Sequence, residues 1–396
     1  MLAKTSSGAR KSRVITVLCL SLACLFICLL GYAAYQYGLA RLQPERSPES
    51  TASARRLAET LEIENPAPHW WESRRTIYFH IPARIRLHLP GDGEVTARRL
   101  MAAAWIEFDR VGRIFNPFAP DSETSRLNRR RPTEWTSVSE DLYQVLQISK
   151  KLWDASKGRF DPTFLPVKRL WQEAEKNQEI PSRRQIKRLL YATGLDKVAL
   201  RPEPEKQLRL KARGVEFDFG GIAKGYAVDC VRQLLIRQGA ADGLVQLGGE
   251  IAAFGQNLME HPAGSWRIGV QHPADMAKVW GILESPDGMR VSTSGNYRQP
   301  LVIRGHRFYH IFSPKTGQPV SEKVLGVTTA SFDGSHSNAL LDGSATAITV
   351  LGTTAGKKLA EKLGIETLIL TRSENGGIHE TMTAGLAEWY KPNAKN

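Results

Sequence analysis

Two short segments of the sequence combine residue types that could hold a phosphate ester and a divalent cation. The first, residues 220–225, reads Gly-Gly-Ile-Ala-Lys-Gly and follows the strand-like stretch 215–219. A glycine-rich loop between a strand and a helix directs free N–H groups and the positive end of the helix dipole at an anion. The spacing matches neither the dinucleotide fingerprint nor the P-loop. The loop alone therefore predicts either a phosphate cradle or a tight turn without a ligand.

The second segment pairs an acidic residue with a hydroxyl residue. Asp342 and Thr346 are four positions apart, so they would share one face of a helix that we predict over 338–363. Carboxylate and hydroxyl oxygens suit Mg²⁺, whose shell backbone carbonyls, water or phosphate can complete. The alternative is that Asp342 only complements the dipole at the start of the helix.

A histidine precedes a turn-forming segment at 309–317, which reads Tyr-His-Ile-Phe-Ser-Pro-Lys-Thr-Gly. His310 could act as a general base or bind a phosphate, whereas a lone histidine is more often a structural hydrogen-bonding residue. Two further loops, 116–128 and 158–162, are rich in turn formers, and each by itself predicts only a turn.

The elements that must position these residues follow from the spacing of apolar side chains. Alternation predicts a strand over 76–89, and the stretch 215–219 leads through the glycine-rich loop into a helix over 226–238. Ser139 and Ser182 stand where helix N-caps are expected. We also predict helices over 95–115, 138–156 and 184–193, a loop over 116–132, and strands at 244–247, 251–254, 266–270, 291–293, 301–303 and 367–370. Strands outnumber helices and do not alternate with them regularly, which predicts the α+β class.

Charge and cysteine content narrow the partners. The 396 residues include 54 Lys and Arg against 40 Asp and Glu, a formal net charge of +14. This excess fits a basic flank of a membrane segment, or an anionic partner such as a phosphate ester. The basic runs lack the interleaved aromatic residues of a nucleic-acid platform, so we expect no nucleic-acid partner. Outside the N-terminal apolar segment Cys230 is the only cysteine, which excludes an internal disulfide there.

The N-terminus predicts a membrane anchor. Residues 1–13 are basic, and the uncharged stretch 14–38 exceeds the roughly 20 residues that a spanning helix needs. Because a basic flank stays in the cytoplasm, we expect a single-pass protein of the inner (cytoplasmic) membrane. Residues 39–75 would form a linker, and 76–396 a catalytic domain on the periplasmic or extracytoplasmic side. A cleavable signal peptide is the competing hypothesis. The apolar core of a signal peptide is usually about 7–15 residues, which is shorter than the stretch found here.

Taken together, seven stretches occur in an order that is more specific than any of them alone. They are 120–128, 158–163, 217–229, 244–251, 292–297, 309–320 and 341–347. In composition and order they resemble the FAD:protein FMN transferase family, the ApbE-type flavin transferases, over residues 76–390. The chain departs from the family's usual pattern at 115–118, which reads Phe-Asn-Pro-Phe instead of a segment with Met-Ser-Thr-Tyr, and at Ser313, where the family has an aspartate.

The resemblance implies a two-lobed, T-fold-related α+β domain around a flavin cleft, with FAD as substrate and Mg²⁺ as the metal. The implied metal ligands are Asp342, Thr346 and the carbonyl of Ala223, with Ala345 adjacent. The implied flavin contacts are Phe115, Arg159, Phe160, Asp161, Gly220, Lys224, Tyr226 and Ile311. His310 lies where the family has a histidine near the flavin phosphates.

The expected reaction is metal-assisted phosphoryl transfer. A Thr or Ser hydroxyl of an acceptor protein would attack the FMN phosphorus of FAD and release AMP, with His310 or Asp161 taking the proton. Two alternatives stay open. Water as the acceptor would make the protein an FAD pyrophosphatase, and loss of catalysis would leave a membrane-tethered flavin-binding protein.

Overall fold

A computed structural model of the protein describes residues 48–78, 80–91, 93–130, 133–259, 264–275, 277–295 and 300–393, with side chains from residue 54 onward. The predicted membrane-spanning stretch 14–38 lies outside these residues. Within the part of the chain that the structure describes, no helix is both long enough and apolar enough to cross a membrane. Residues Ala54–Asn396 form one compact unit, and only residues 48–53 are described in the unit before it, Met1–Ser53.

Helices and strands are interspersed along the chain. The helices are α1 (Pro48–Thr60), α2 (Gly93–Phe115), α3 (Glu123–Arg130), α4 (Glu140–Ala155), α5 (Leu165–Asn177), α6 (Arg183–Leu190), α7 (Ala223–Arg237), α8 (Asn338–Leu351) and α9 (Thr353–Leu363). The strands are β1 (Glu64–Ala67), β2 (Trp70–Ile77), β3 (Ile81–His88), β4 (Thr136–Ser137), β5 (Val198–Arg201), β6 (Gln207–Leu210), β7 (Asp242–Leu247), β8 (Glu250–Phe254), β9 (Trp266–Gln271), β10 (Val279–Ser285), β11 (Gly288–Gly295), β12 (Leu301–Ile303), β13 (His306–Phe308), β14 (Val324–Ser331), β15 (Glu366–Arg372), β16 (Ile378–Met382) and β17 (Tyr390–Pro392).

One antiparallel sheet organises the fold. Nine of the described strands pair in the order β1-β2-β3-β7-β8-β11-β14-β15-β16. Helices α2, α7, α8 and α9 contact one face of this sheet, where the largest apolar cluster of the described residues is buried. A second apolar cluster joins the small sheet β17-β10-β9 to the large sheet. In it, Trp266 of β9 and Leu283 of β10 are buried together with Trp70 of β2. Helices gathered against an antiparallel sheet confirm the α+β class.

A third apolar cluster supports the loop that follows β13. It joins α5 and α6 to the β12–β13 hairpin through Trp171, Ile186, Ile303 and Phe312. The indole N–H of Trp171 donates to the carbonyl of Gly317 at 2.8 Å. This cluster therefore fixes the residues directly after His310.

The predicted start of the domain needs correction. The stretch 76–89 is not one strand, because β2 and β3 form a hairpin whose turn includes Tyr78 and His80 with positive φ angles of 46° and 66°. Strand β1 and most of β2 lie within the predicted linker 39–75, so the folded part begins before residue 76. Alternation along the sequence is the same in a hairpin as in one strand, so it does not reveal the reversal.

Three further predictions also differ from the structure. The helix predicted over 338–363 is two helices, because Gly352 has a φ of 76° and ends α8. The predicted loop 116–132 contains α3. The stretch 215–219 is mostly buried but forms none of these strands, and Glu216 makes only an isolated bridge to Phe164. The side chain of Asn128 bonds both the N–H and the carbonyl of Phe217, at 2.7 and 2.9 Å.

The other predicted helices and strands are present, with bounds that differ by a few residues. The capping predictions are also confirmed. The Ser139 hydroxyl accepts from the N–H of Leu142, and Ser182 forms a reciprocal capping box with Gln185.

Candidate active site

Helices α7 and α8 meet at a point of close backbone approach. A Cβ atom at Gly225 would lie 2.2 Å from the carbonyl oxygen of Asn338, so glycine is required there. One turn further along α7, the buried Asp229 carboxylate accepts from the N–H groups of Asn338 and Ala339, at 3.0 and 2.9 Å. A carboxylate at this place satisfies free donors at the start of α8. The start of α7 is thereby held against the first turns of α8.

Replacing Gly225 with Ala should therefore lower the free energy of unfolding by about 3 kcal/mol. This value is at the upper end of the usual cost of an added methyl group, because the atom that the methyl group would meet belongs to the backbone. Chemical denaturation of the full chain measures this change. Gly326→Ala is the matched control, since the closest atom to a Cβ there is 3.9 Å away. Equal stabilities of the two variants would contradict the proposed contact between α7 and α8.

The close approach places Lys224 between two acidic side chains. Its ammonium nitrogen lies 3.1 Å from each carboxylate oxygen of Asp342 and 3.1 Å from Oε1 of Glu250. It also donates to the carbonyl of Gly220 at 3.3 Å. Burial by itself lowers the pKa of Lys224, but the two carboxylates outweigh burial and raise that pKa above its usual value. Lys224 therefore keeps its positive charge at neutral pH.

Glu250 completes this cluster, and it was not among the site residues predicted from the sequence. It begins β8, its side chain is 1% exposed, and its Oε2 atom has no hydrogen-bond partner. Burial and the negative charge of Asp342 raise the pKa of Glu250 to about 7. The available signal was its position directly after the Gly248-Gly249 turn, in a segment that the family resemblance already included.

The glycine-rich loop lies against the hydroxyl of Thr346. A Cβ atom at Gly221 would lie 3.1 Å from Oγ1 of Thr346 and 3.5 Å from the ring of Phe160. Asp218 shapes the start of the loop, because its carboxylate accepts from the N–H of Gly220 at 2.9 Å and from Lys168 at 2.5 Å. The structure thus brings together three segments that are distant in the sequence.

Asp342 supplies a second carboxylate beside this loop. It is 1% exposed, and its Oδ2 atom also accepts from the N–H of Gly225 at 3.1 Å. Ala223, the first residue of α7, is half-buried beside the loop. Ala345 is fully buried, and its carbonyl accepts from the hydroxyl of Thr349 at 2.8 Å. Of the predicted metal ligands, Asp342 and Thr346 therefore offer the side-chain oxygens.

These oxygens fit a hard divalent cation. In the described residues no group of three or more His, Cys, Asp and Glu side chains could hold a metal ion. A cation here would be held by Asp342 and by neutral oxygens, with water or substrate oxygens completing its shell, which is a common arrangement for Mg²⁺. The ammonium of Lys224, in contact with both oxygens of Asp342, shows that the position favours positive charge.

His310 faces the same positive charges. Its Nδ1 atom is buried and has no hydrogen-bond partner. Burial, reinforced by the charges of Lys168 and Lys224, lowers the pKa of His310 to about 4. The imidazole is therefore neutral at pH 7, so that one of its two ring nitrogens can accept a proton.

Asp161 is held in a turn of its own. Its Oδ1 atom accepts from the N–H and the hydroxyl of Thr163, at 2.9 and 2.6 Å. Burial raises the pKa of Asp161 to about 6. The backbone N–H groups of Arg159 and Phe160 bond the hydroxyl of Ser156, which continues this turn. Asp161 thus has a clear structural function in this geometry.

The remaining predicted flavin contacts are mostly buried. Phe115 packs edge-to-face against Phe219 and Tyr226, with ring centroids 5.4 and 5.6 Å apart. The hydroxyl of Tyr226 is 3.0 Å from Asp141. Ile311 is buried, and its carbonyl accepts from Val320 at 2.9 Å. Gly220 is exposed at the tip of the loop. Their roles as flavin contacts stay predictions.

Comparisons with known proteins show one family and one fold over most of this chain. The model of the family described as the ApbE family matches residues 79–369. A curated FAD:protein FMN transferase from Haemophilus influenzae is 29% identical over 304 residues, which cover 74% of this chain and 85% of the relative. One from Vibrio cholerae is 31% identical over 277 residues, or 68% and 78% of the two chains. The crystal structure of the Pseudomonas stutzeri flavinyl transferase ApbE in its apo form superposes with a TM-score of 0.69 at 26% identity, covering 84% of this chain and 98% of that one.

Proposed function

The chain belongs to the ApbE family, and from that premise we propose that it is an FAD:protein FMN transferase that uses Mg²⁺. It would cleave FAD, attach FMN through a phosphoester to a protein hydroxyl, and release AMP. The observation that carries the proposal is the convergence of Lys224, Asp342 and Thr346 at one glycine-rich loop. A permanent positive charge and hard oxygen ligands are what phosphoryl transfer requires.

The residues around the loop would share the binding of the diphosphate. The N-terminus of α7 and the ammonium of Lys224 would attract its oxygens. Asp342 and Thr346, with the carbonyl of Ala223, would hold Mg²⁺, which when bound supplies charge neutralisation at the diphosphate. Phe160 would limit access of water, since its buried ring contacts both the loop and α8.

The proton of the acceptor hydroxyl needs a base. As the acceptor oxygen bonds the FMN phosphorus, the bond from that phosphorus to the AMP oxygen breaks and the hydroxyl proton leaves. His310 fits this role because it is neutral at pH 7 and its Nδ1 atom has no partner. Asp161, the other candidate, already accepts two hydrogen bonds from Thr163. The geometry therefore favours His310.

The acceptor would be a Thr or Ser of a second protein, because a phosphoester link to a side chain requires a hydroxyl group. The experiment incubates the full chain in detergent with FAD, Mg²⁺ and a candidate acceptor protein. Covalent FMN on the acceptor, detected by mass spectrometry, supports the proposal. Free FMN with AMP would favour an FAD pyrophosphatase, and intact bound FAD a non-catalytic flavin-binding protein.

We also propose that the apolar segment 14–38 anchors the enzyme in the cytoplasmic membrane with the catalytic part outside the cytoplasm. The support is the length of the segment and its basic flank. The full chain should stay in the membrane fraction after alkaline carbonate extraction, and its C-terminus should be digested by protease added to spheroplasts. Release by carbonate would contradict this anchoring.

A further inference from the structure

The ammonium of Lys224 occupies a position that a divalent cation would contest. It contacts both oxygens of Asp342, which is the only described carboxylate among the proposed metal ligands. A cation bound to Asp342 would face the ammonium across the same two oxygens, and like charges at such distances repel strongly in a buried site. Binding of the cation therefore requires the ammonium to move or to find a partner elsewhere.

The carboxylate of Glu250 can provide that partner. Its Oε1 atom already lies 3.1 Å from the ammonium, and its buried Oε2 atom is without a hydrogen bond. A small movement of Lys224 away from Asp342 would let it contact both oxygens of Glu250. A buried charge needs such a partner, because desolvation is otherwise costly.

The backbone around Glu250 is held rigidly enough for this purpose. Strand β8 pairs with β7 on one side and β11 on the other, and Glu250 is opposite Leu247 and Ser292. A Cβ atom at the preceding Gly249 would lie 2.7 Å from the carbonyl oxygen of Thr293, so the turn before Glu250 packs closely on β11. The carboxylate therefore stays in place while the flexible lysine side chain moves.

We propose that Glu250 is a positioning residue that receives the ammonium of Lys224 when a divalent cation binds Asp342. This inference rests on the proposed function, since it takes Asp342 as a metal ligand. The lysine that pairs with Asp342 thereby becomes the lysine that faces the diphosphate. Glu250 itself touches neither the metal nor the substrate.

Binding of Mn²⁺ to the full chain in detergent, without flavin, tests the proposal by electron paramagnetic resonance. Glu250→Gln should weaken Mn²⁺ binding by about tenfold, as is usual for a residue that supports a metal ligand indirectly. Lys224→Met should bind Mn²⁺ more tightly than the unmodified protein. In the double variant the substitution at Glu250 should have no further effect, because no ammonium needs a partner.

The double variant separates this role from two others. If Glu250→Gln still weakens binding about tenfold in the Lys224→Met background, Glu250 acts as a ligand or through its charge alone, and the proposal is wrong. Unchanged affinity of the single Glu250→Gln variant also overturns it. If the Glu250→Gln variant does not fold, the Mn²⁺ affinity of Lys224→Met tests the proposal by itself. An unchanged affinity of Lys224→Met would show that the ammonium does not compete with the cation for Asp342, and the proposal would be wrong.

Failure of the proposed function gives a different result. If the unmodified protein binds no Mn²⁺, or if Asp342→Asn binds it as well as the unmodified protein does, then the metal site itself is wrongly assigned. Loss of binding in Asp342→Asn together with normal binding in Glu250→Gln overturns the inference only. Circular dichroism of each variant checks that the fold is retained.

Discussion

Replacing Asp342 with Asn is expected to reduce kcat/KM for FAD cleavage at least about a hundredfold, because a metal at a phosphoryl group contributes several kcal/mol to the transition state. Asparagine is chosen because its side-chain carbonyl can still accept from the N–H of Gly225, as Oδ2 of Asp342 does at 3.1 Å. The junction between α7 and α8 should therefore survive. Release of AMP, followed by chromatography over a range of Mg²⁺ concentrations, measures the loss.

Asp196→Asn is the matched control for this substitution. The Asp196 side chain is mostly exposed, and among the described ion pairs it pairs only with its neighbour Lys197. The activity of the Asp196→Asn variant should therefore equal that of the unmodified protein. Partial recovery of Asp342→Asn at high Mg²⁺ would agree with a weakened metal site. Full activity at ordinary Mg²⁺ concentration would show that Asp342 does not hold the metal.

Replacing His310 with Asn is expected to lower kcat by about 10²- to 10⁴-fold, the usual contribution of a general base. The KM for FAD should change much less if the imidazole acts on the proton of the acceptor and not on binding. Single-turnover FMN transfer to the acceptor protein measures the chemical step directly. His379→Asn, in the exposed part of strand β16, is the control and should leave the rate unchanged. A small effect of His310→Asn on kcat would assign the base elsewhere.

The same histidine should contribute to the pH dependence of stability. Its pKa is about 4 in the folded protein, against about 6.5 in an unfolded chain. Between these values the unfolded state binds more protons, so this contribution to the free energy of unfolding falls as the pH drops from about 6.5 to about 4. Asp161 and Glu250 act in the opposite sense, because their pKa values are raised and the unfolded state there binds fewer protons.

The difference between the unmodified protein and His310→Asn isolates the contribution of the histidine. The stability gap between the two proteins should change by more than 1 kcal/mol between pH 7 and pH 4.5, in the direction that the unmodified protein loses more. Urea denaturation at both pH values measures it. A gap that does not change with pH would mean that the imidazole is not held neutral.

The local elements around the site were predictable because their signals are short-range. The apolar spacing over 95–115 correctly predicted α2, and Ser139 and Ser182 cap the helices that follow them. Two of the errors share one cause. Alternation over 76–89 and apolar content over 215–219 are equally compatible with several backbone paths, and the path is selected by distant groups. For 215–219 that group is the side chain of Asn128, 89 positions from Phe217.

The sequence by itself determined the membership of the chain in its family and the helix face that Asp342 and Thr346 share, because both depend on residue order and helical spacing. Only the tertiary structure decided which charges face each other. Lys224 meets Asp342 across 118 positions of sequence, and it meets Glu250 because α7 packs on the start of β8. The neutral state of His310 was likewise settled by burial and by the nearby lysines. Such charge interactions depend on distance and on exclusion of water, and neither quantity exists until the chain has folded.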